Sequence, residues 1–193
     1  MTAPGSARET RLMRDRVETP SGLVLRRWTG GDAASVLAAF ADPLIRTQSV
    51  TPVDTPSAAE RRIAQRTARW ADGSAFAFAV VDGADTVLGQ VSVGPVDPRH
   101  ANGWVSYWTT PPARGRGTAS RSCRALAHWA FTDLGLFRLE LGHRVDNPAS
   151  CKVARSAGFP VEGLERQKLT YDGARYDVET HARLATDPEP AAG

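Results

Sequence analysis

Residues 104–131 read WVSYWTTPPARGRGTASRSCRALAHWAF, and this stretch decides the fold. Trp104 to Thr109 reads as a strand, broken by Pro111 and Pro112. The turn Arg114-Gly115-Arg116-Gly117-Thr118-Ala119 follows. Ala119, Cys123, Leu126, Ala130 and Leu134 then recur at steps of three and four, which predicts a helix to about Leu134, with Gly135 as its stop signal. A strand, a small-residue turn and a helix start together make an anion site. The first N–H groups of a helix lack partners, and its dipole favours negative charge there. Gly115 and Gly117 carry no side chains to hold a phosphate away, while Arg114 and Arg116 add charge. The turn is expected to hold a phosphate or pyrophosphate. It is neither a P-loop, because no Lys follows Gly117, nor a dinucleotide fingerprint, because the third glycine is missing. The plainer alternative is an arginine-rich surface turn ahead of an ordinary helix.

Working outward, the 193 residues suit a single domain with a sizeable core. The formal net charge is +3, and only two lysines occur, Lys152 and Lys168, so the positive charge is mostly arginine. That charge is spread along the chain and gives little support to nucleic-acid binding, so no nucleic-acid partner is expected. Cys123 and Cys151 both fall in predicted helices, read as small packing residues and suggest no disulfide framework, which fits a reducing cytoplasm. No apolar run reaches transmembrane length, so no membrane association is expected. Residues 1–20 read as a flexible lead-in and 187–193 as a disordered tail around one domain at 21–186.

The elements within that domain follow in order. Leu23-Val24-Leu25 with Trp28 opens as a strand. Asp32 caps a helix to Ala41, which Pro43 ends, and a polar link runs from Arg46 to Asp54. Thr55-Pro56 starts a second helix to about Ala71. Phe76–Val81 and Val87–Val93 make a hairpin about Asp82-Gly83, and Pro95 to Gly103 is a loop. After the central strand, turn and helix come a strand at Phe137–Val145 and a short helix at Pro148–Ala157, capped by Asn147. A last hairpin, Leu164–Tyr171 with Ala174–Leu184, turns at Asp172-Gly173. The order β-α-α-β-β-β-α-β-α-β-β predicts an α+β fold: a mixed, mostly antiparallel sheet of about seven strands flanked by about four helices.

Residues 147–159 read NPASCKVARSAGF. Together with Arg114, Gly117 and Ala119 in an R-x-x-G-x-A loop, this segment resembles the GNAT superfamily of acyl-CoA-dependent N-acyltransferases. Asn147, Ser150, Gly158 and Phe159 match the N-x-x-S…G-F pattern of its RimJ/RimL-like branch, and Tyr107-Trp108 and Tyr176-Asp177 fit that branch too. The resemblance spans roughly Leu23 to Asp187. It implies the GNAT fold, acetyl-CoA or another acyl-CoA as co-substrate, and no metal. It also implies a small-molecule or peptide amine as acceptor, in a monomer or homodimer. The pantetheine arm would lie along the Trp104 strand and bond the backbone of about Trp108, Thr109 and Thr110. The pyrophosphate would meet Arg114, Gly115, Arg116, Gly117, Thr118 and Ala119, with Asn147 and Ser150 also touching the co-substrate.

Acyl transfer needs a donor for the developing oxyanion, a neutral amine, and a proton or hydrogen bond for the leaving thiolate. The resemblance assigns the last role to Ser150; the alternative is a serine that only bonds back to its helix. A tyrosine used in other branches is replaced by Ala154, and the two positions where relatives keep a carboxylate base hold Gly142 and, aligned without gaps, Leu169. Glu140 shares a strand face with Gly142 about 7 Å away and is a candidate base through a water; pairing with Arg138 or Arg144 on that face is its alternative. His143 points to the other face and reads as packing, His128 as solvated, and Asp177 as a hairpin residue. The acceptor side offers Arg46, Gln48, Asp54, Arg166 and Tyr176, which converge on no one chemistry. The reading is therefore an N-acetyltransferase acting by direct attack; its rival is an acyl-CoA-binding module with weak or no catalysis.

Overall fold

The computed structural model describes residues 13–47 and 49–190, so the expectations for residues 1–12, for Gln48 and for 191–193 lie outside the described residues. The strands are β1 (Arg16–Glu18), β2 (Val24–Arg27), β3 (Phe76–Val81), β4 (Val87–Asp97), β5 (Asn102–Thr109), β6 (Arg138–Arg144), β7 (Val161–Tyr171) and β8 (Ala174–Leu184). The helices are α1 (Ala33–Phe40), α2 (Pro43–Arg46), α3 (Pro56–Asp72), α4 (Thr118–Thr132) and α5 (Pro148–Ser156). One sheet runs β1-β2-β3-β4-β5-β6-β8-β7, antiparallel throughout except where β5 meets β6. The mixed α+β architecture expected from the sequence is thus present, with one strand and one short helix more.

Both additions have local causes. Pro43 begins α2 rather than ending its predecessor: Asp42 is extended and its carboxylate accepts from the N–H groups of Leu44 and Ile45. Pro at the first turn costs no hydrogen bond, since that N–H would lack a partner anyway. Strand β1 lies inside the stretch expected to be flexible. Its residues pair with Val24–Arg26, and Arg14 beside it reaches the Asp133 carboxylate at 2.7 Å. At the other end, Asp187 accepts from the Leu184 N–H and Glu189 pairs with Arg183 at 3.0 Å, so the tail is tied down as far as Glu189. The expected loop at 95–103 is mostly strand, because β4 continues past an irregularity after Val93 to pair Val96 and Asp97 with Gly103 and Asn102.

Burial follows the strand alternation. Val24, Ala77, Ala79, Val81 and Trp108 face α1, α2 and α3. Leu25, Phe78, Val80, Val91, Val105, Leu139 and Leu141 face α4 and α5. Each face therefore carries its own apolar core, and on the α1–α3 side that core draws on strands β2 to β5.

Candidate functional site

Strands β5 and β6 pair only at their starts: Asn102 with Arg138, Gly103 with Leu139, and Trp104 with Glu140. Beyond Trp104 they part, while β5 keeps β4 and β6 keeps β8. The result is an opening in the middle of the sheet, with a half-unpaired strand on each side. Thr110 donates its N–H to the Leu88 carbonyl at 2.8 Å. By the alternation of an antiparallel ladder, Ser106, Trp108 and Thr110 turn their backbone groups to β4, and Val105, Tyr107 and Thr109 turn theirs to the opening. Of the backbone set expected to bond a pantetheine, Thr109 faces the opening and Trp108 and Thr110 do not. The Trp108 side chain is packed against Trp28 and Phe40.

The chain leaves β5 through Pro111 and Pro112 into the turn, with Gly115 at φ 71° and Gly117 at φ 73°. An added Cβ at Gly117 would meet nothing closer than 3.7 Å, so the glycine is required by its left-handed backbone rather than by crowding. Gly117 caps α4, and the Ala119 and Ser120 N–H groups find no acceptor among the described residues. Arg114 does not stand free over the turn. It forks onto Asp42 at 2.8 and 3.2 Å, and this guanidinium, as the leading cause, holds the Asp42 carboxyl below the usual range. Arg116 is exposed, and its carbonyl accepts from Arg121 at 2.8 Å.

Across the opening stands the start of α5. The Asn147 side chain accepts from the Ser150 N–H at 3.1 Å, the cap expected from the sequence, of a kind that contributes about 1 kcal/mol. The Ser150 hydroxyl makes no hydrogen bond among the described residues, so the bond back to the helix is not made. Tyr107 reaches over from β5 and donates to the Ser150 carbonyl at 3.3 Å. Burial, above all, pushes its phenol well above the ordinary range, so it stays protonated. A phenol beside Ser150 escapes a reading that looks for tyrosine at position 154, because it arrives from another strand.

The carboxylate side differs from expectation. An added Cβ at Gly142 would lie 2.9 Å from Val178 and 3.1 Å from the Trp104 ring, so that ring covers the place a carboxylate would use. Glu140 is held by Arg138 at 2.6 Å, the expected alternative, and Arg138 also pairs with Glu162. Leu169 pairs with Tyr176, but β7 carries an irregularity between Glu165 and Leu169, with Gln167 at φ 53°. Those extra residues break any ungapped correspondence. They leave Glu165 opposite Val178, on the face of Gly142 and Trp104. Its carboxylate pairs with Lys168 at 2.5 Å.

Two recesses flank the opening. One, of about 150 Å³, lies between α3 and strands β4 and β5, where Arg62, Arg66 and Arg69 face Gln90, Ser92 and Ser106. Neither Arg62 nor Arg66 has an ion-pair partner among the described residues; Arg62 stacks on Phe40 and bonds Ser49. Burial first, then the charges of Arg66 and Arg69, bring Arg62 down to about 10. The other recess, of about 450 Å³, lies at the end of β6 against the last hairpin and is lined by Val145, Asp146, Gln167, Arg175, Tyr176 and Asp177. Of the other residues expected on the acceptor side, Arg46 closes α2 and Arg166 lies in β7; neither lines either recess. His143, read as packing, meets His181 at 2.9 Å between β6 and β8.

Residues 22–160 match the model of the acetyltransferase (GNAT) domain. The chain belongs to the GNAT acetyltransferase family. Among curated GNAT relatives, the ribosomal-protein-serine acetyltransferase of Escherichia coli (strain K12) is 32% identical over 100 residues, 52% of this chain and 56% of that protein. The chain thus spans little more than half the length of that relative. Among solved structures, Mycobacterium smegmatis RimJ in complex with CoA-disulfide superposes with a TM-score of 0.78 at 23% identity, covering 88% of this chain and 86% of that one. The ribosomal-protein-S5-alanine acetyltransferase of Vibrio fischeri gives 0.79 at 23% identity, covering 91% and 99%. These likenesses establish the fold. Among the described residues no helix is long and apolar enough to cross a membrane.

Proposed function

We propose that this GNAT domain transfers an acetyl group from acetyl-CoA to an amine by direct attack, with no covalent enzyme intermediate. The observation that carries the reading is the opening between β5 and β6, with the glycine turn at one rim and the free Ser150 hydroxyl at the other. The CoA pyrophosphate lies over the N–H groups of residues 115–119, with the exposed Arg116 as the added cation and Arg114 as the brace that fixes the turn to Asp42. The pantetheine arm bonds the β5 edge at Val105, Tyr107 and Thr109. Ser150 donates to the leaving thiolate, positioned by the Asn147 cap and by Tyr107.

The acceptor comes from the α3 face. Three guanidinium groups there disfavour a protonated amine, since like charge lowers an amine's pKa. That field takes over part of what a carboxylate base does in relatives. An amine carrying a carboxylate or phosphate is the best match, and a polyamine the poorest. We assign no base role to Glu140; Glu165 is the alternative, because it stands on the face of Gly142. The chain then works in the cytoplasm on a small-molecule or peptide amine.

The test is a panel of amines with thiol release and product mass as readouts. Turnover on acidic or N-terminal amines supports the reading. Tight acetyl-CoA binding with no turnover on any amine would leave a binding module. Faster turnover on polyamines than on acidic amines would overturn the acceptor assignment.

A further inference from the structure

We propose that His143, Cys151, Glu179 and His181 form a transition-metal site, matched to Zn²⁺, that pins the start of α5 to the sheet. The four come from three elements. His143 and Glu179 are opposite one another in the β6–β8 ladder, and His181 follows Glu179 on the same face. Cys151 comes down from α5. Their donor atoms all lie within 4.8 Å of one another.

The imidazoles carry the argument. His143 Nδ1 lies 2.9 Å from the Arg144 carbonyl, and His181 Nδ1 lies 2.9 Å from the Phe159 carbonyl. A carbonyl oxygen only accepts, so each Nδ1 holds the ring proton and each Nε2 presents a lone pair. Those two Nε2 atoms face each other at 2.9 Å, with His181 1% and His143 8% exposed. Two lone pairs at that distance need a Lewis acid between them: a proton or a metal ion. Metal-ligating histidines characteristically donate the other ring N–H to a carbonyl or carboxylate, and both do so here.

The remaining groups favour the metal. Glu179 Oε1 lies 3.1 Å from His181 Nε2, 3.4 Å from His143 Nε2 and 3.3 Å from Cys151 Sγ. A tetrahedron with bonds of 2.0–2.3 Å has edges of about 3.3–3.8 Å. The present spacings need adjustments of a few tenths of an ångström at the histidines and more at Cys151. Two imidazoles, a thiolate and a carboxylate suit Zn²⁺, whereas Ca²⁺ and Mg²⁺ take oxygen. A thiolate and a carboxylate also balance the two positive charges. Binding releases the Cys151 proton to solvent, so the balance needs no further reactant. With four protein donors the site is closed and structural. Its neighbour in sequence is Ser150, so the metal would hold the first turn of α5, and with it the hydroxyl at the rim of the opening.

The experiment uses the full chain without an affinity tag, loaded with Zn²⁺, freed of excess metal and analysed by inductively coupled plasma mass spectrometry. One Zn²⁺ per chain and a higher melting temperature are expected. Co²⁺ in its place should give tetrahedral visible bands and a thiolate charge-transfer band. Cys151→Ser, a change at a partly exposed helix position, should abolish the charge-transfer band in a protein whose circular dichroism is unchanged. Glu179→Gln should retain less than a tenth of the metal. Metal below 0.1 per chain in the wild type, with no thermal shift, would mean a shared proton and overturn the proposal. Equal retention by wild type, Cys151→Ser and Glu179→Gln would mean adventitious metal and overturn it as well.

Discussion

The two edges of the β5–β6 opening are built in opposite ways. On the β5 side, strand, turn and helix are consecutive in sequence, and the Ala119 and Ser120 N–H groups at the helix start find no acceptor among the described residues. On the β6 side, each candidate group is engaged by another side chain: Gly142 faces Trp104 and Val178 from β5 and β8, Glu140 pairs with Arg138 two residues away, and Glu165 on β7 pairs with Lys168 three residues on. In the proposed reading, the first edge takes the co-substrate. The second has had its carboxylate position filled by an indole. The lesson is that the halves of one site answer to different constraints. The cofactor half depends on backbone conformation, which a short motif specifies, and the acceptor half depends on side chains that converge from the whole sheet.

The largest effect is expected where the two edges meet. If Ser150 donates to the thiolate, Ser150→Ala should lower kcat by about a hundredfold, the low end of what a positioned proton donor contributes. The KM for acetyl-CoA should hardly move, because the interaction strengthens in the transition state. A change confined to KM would make Ser150 a capping residue and leave the opening without its chemical group.

Next in size is a change on the β6 side. If position 142 merely lacked a base, Gly142→Glu would raise activity. The Trp104 ring 3.1 Å from the added Cβ predicts overpacking instead, with a loss of about 1–3 kcal/mol in denaturant unfolding and no gain in rate. Trp104→Ala introduced with Gly142→Glu should recover part of that stability. A stable, faster single variant would show that the indole yields and that the carboxylate is all the site was missing.

On the β5 side, Gly117→Val should weaken acetyl-CoA binding at least tenfold, about 1.4 kcal/mol, in calorimetry on folded protein. The cause is the φ of 73°, which a β-branched residue adopts only with strain, so the turn's N–H groups swing away. Unchanged affinity would take the turn out of the site and erase the difference between the edges.

What the sequence discloses follows the same division. The turn, its helix and the Asn147 cap are local, and residues 104–131 and 147–159 alone place them. So are the strand and helix periods, and these give the mixed sheet. The short strand at Arg16–Glu18 is not legible, because three residues with mixed charge carry no period and are held by pairing to β2. The tie between Arg114 and Asp42 spans 72 positions, so no local motif announces it. The irregularity at 165–169 defeats an ungapped correspondence, since strand alternation is lost wherever extra residues enter. The histidine pair joins positions 38 apart on adjacent strands, and neither spacing nor composition announces it.

The most direct test of the account is a pH–rate profile on two acceptors of different amine pKa, a peptide N-terminus near 8 and a lysine ε-amine near 10.4. It is run in wild type, Glu140→Gln and Glu165→Gln. With no dedicated carboxylate base, kcat/KM should rise along each acceptor's own titration, the low-pKa amine should react faster at pH 7, and both variants should stay within about twofold of wild type. A common inflection near pH 6–7 for both acceptors, abolished in either variant, would contradict the account by showing that the β6 side carries the base.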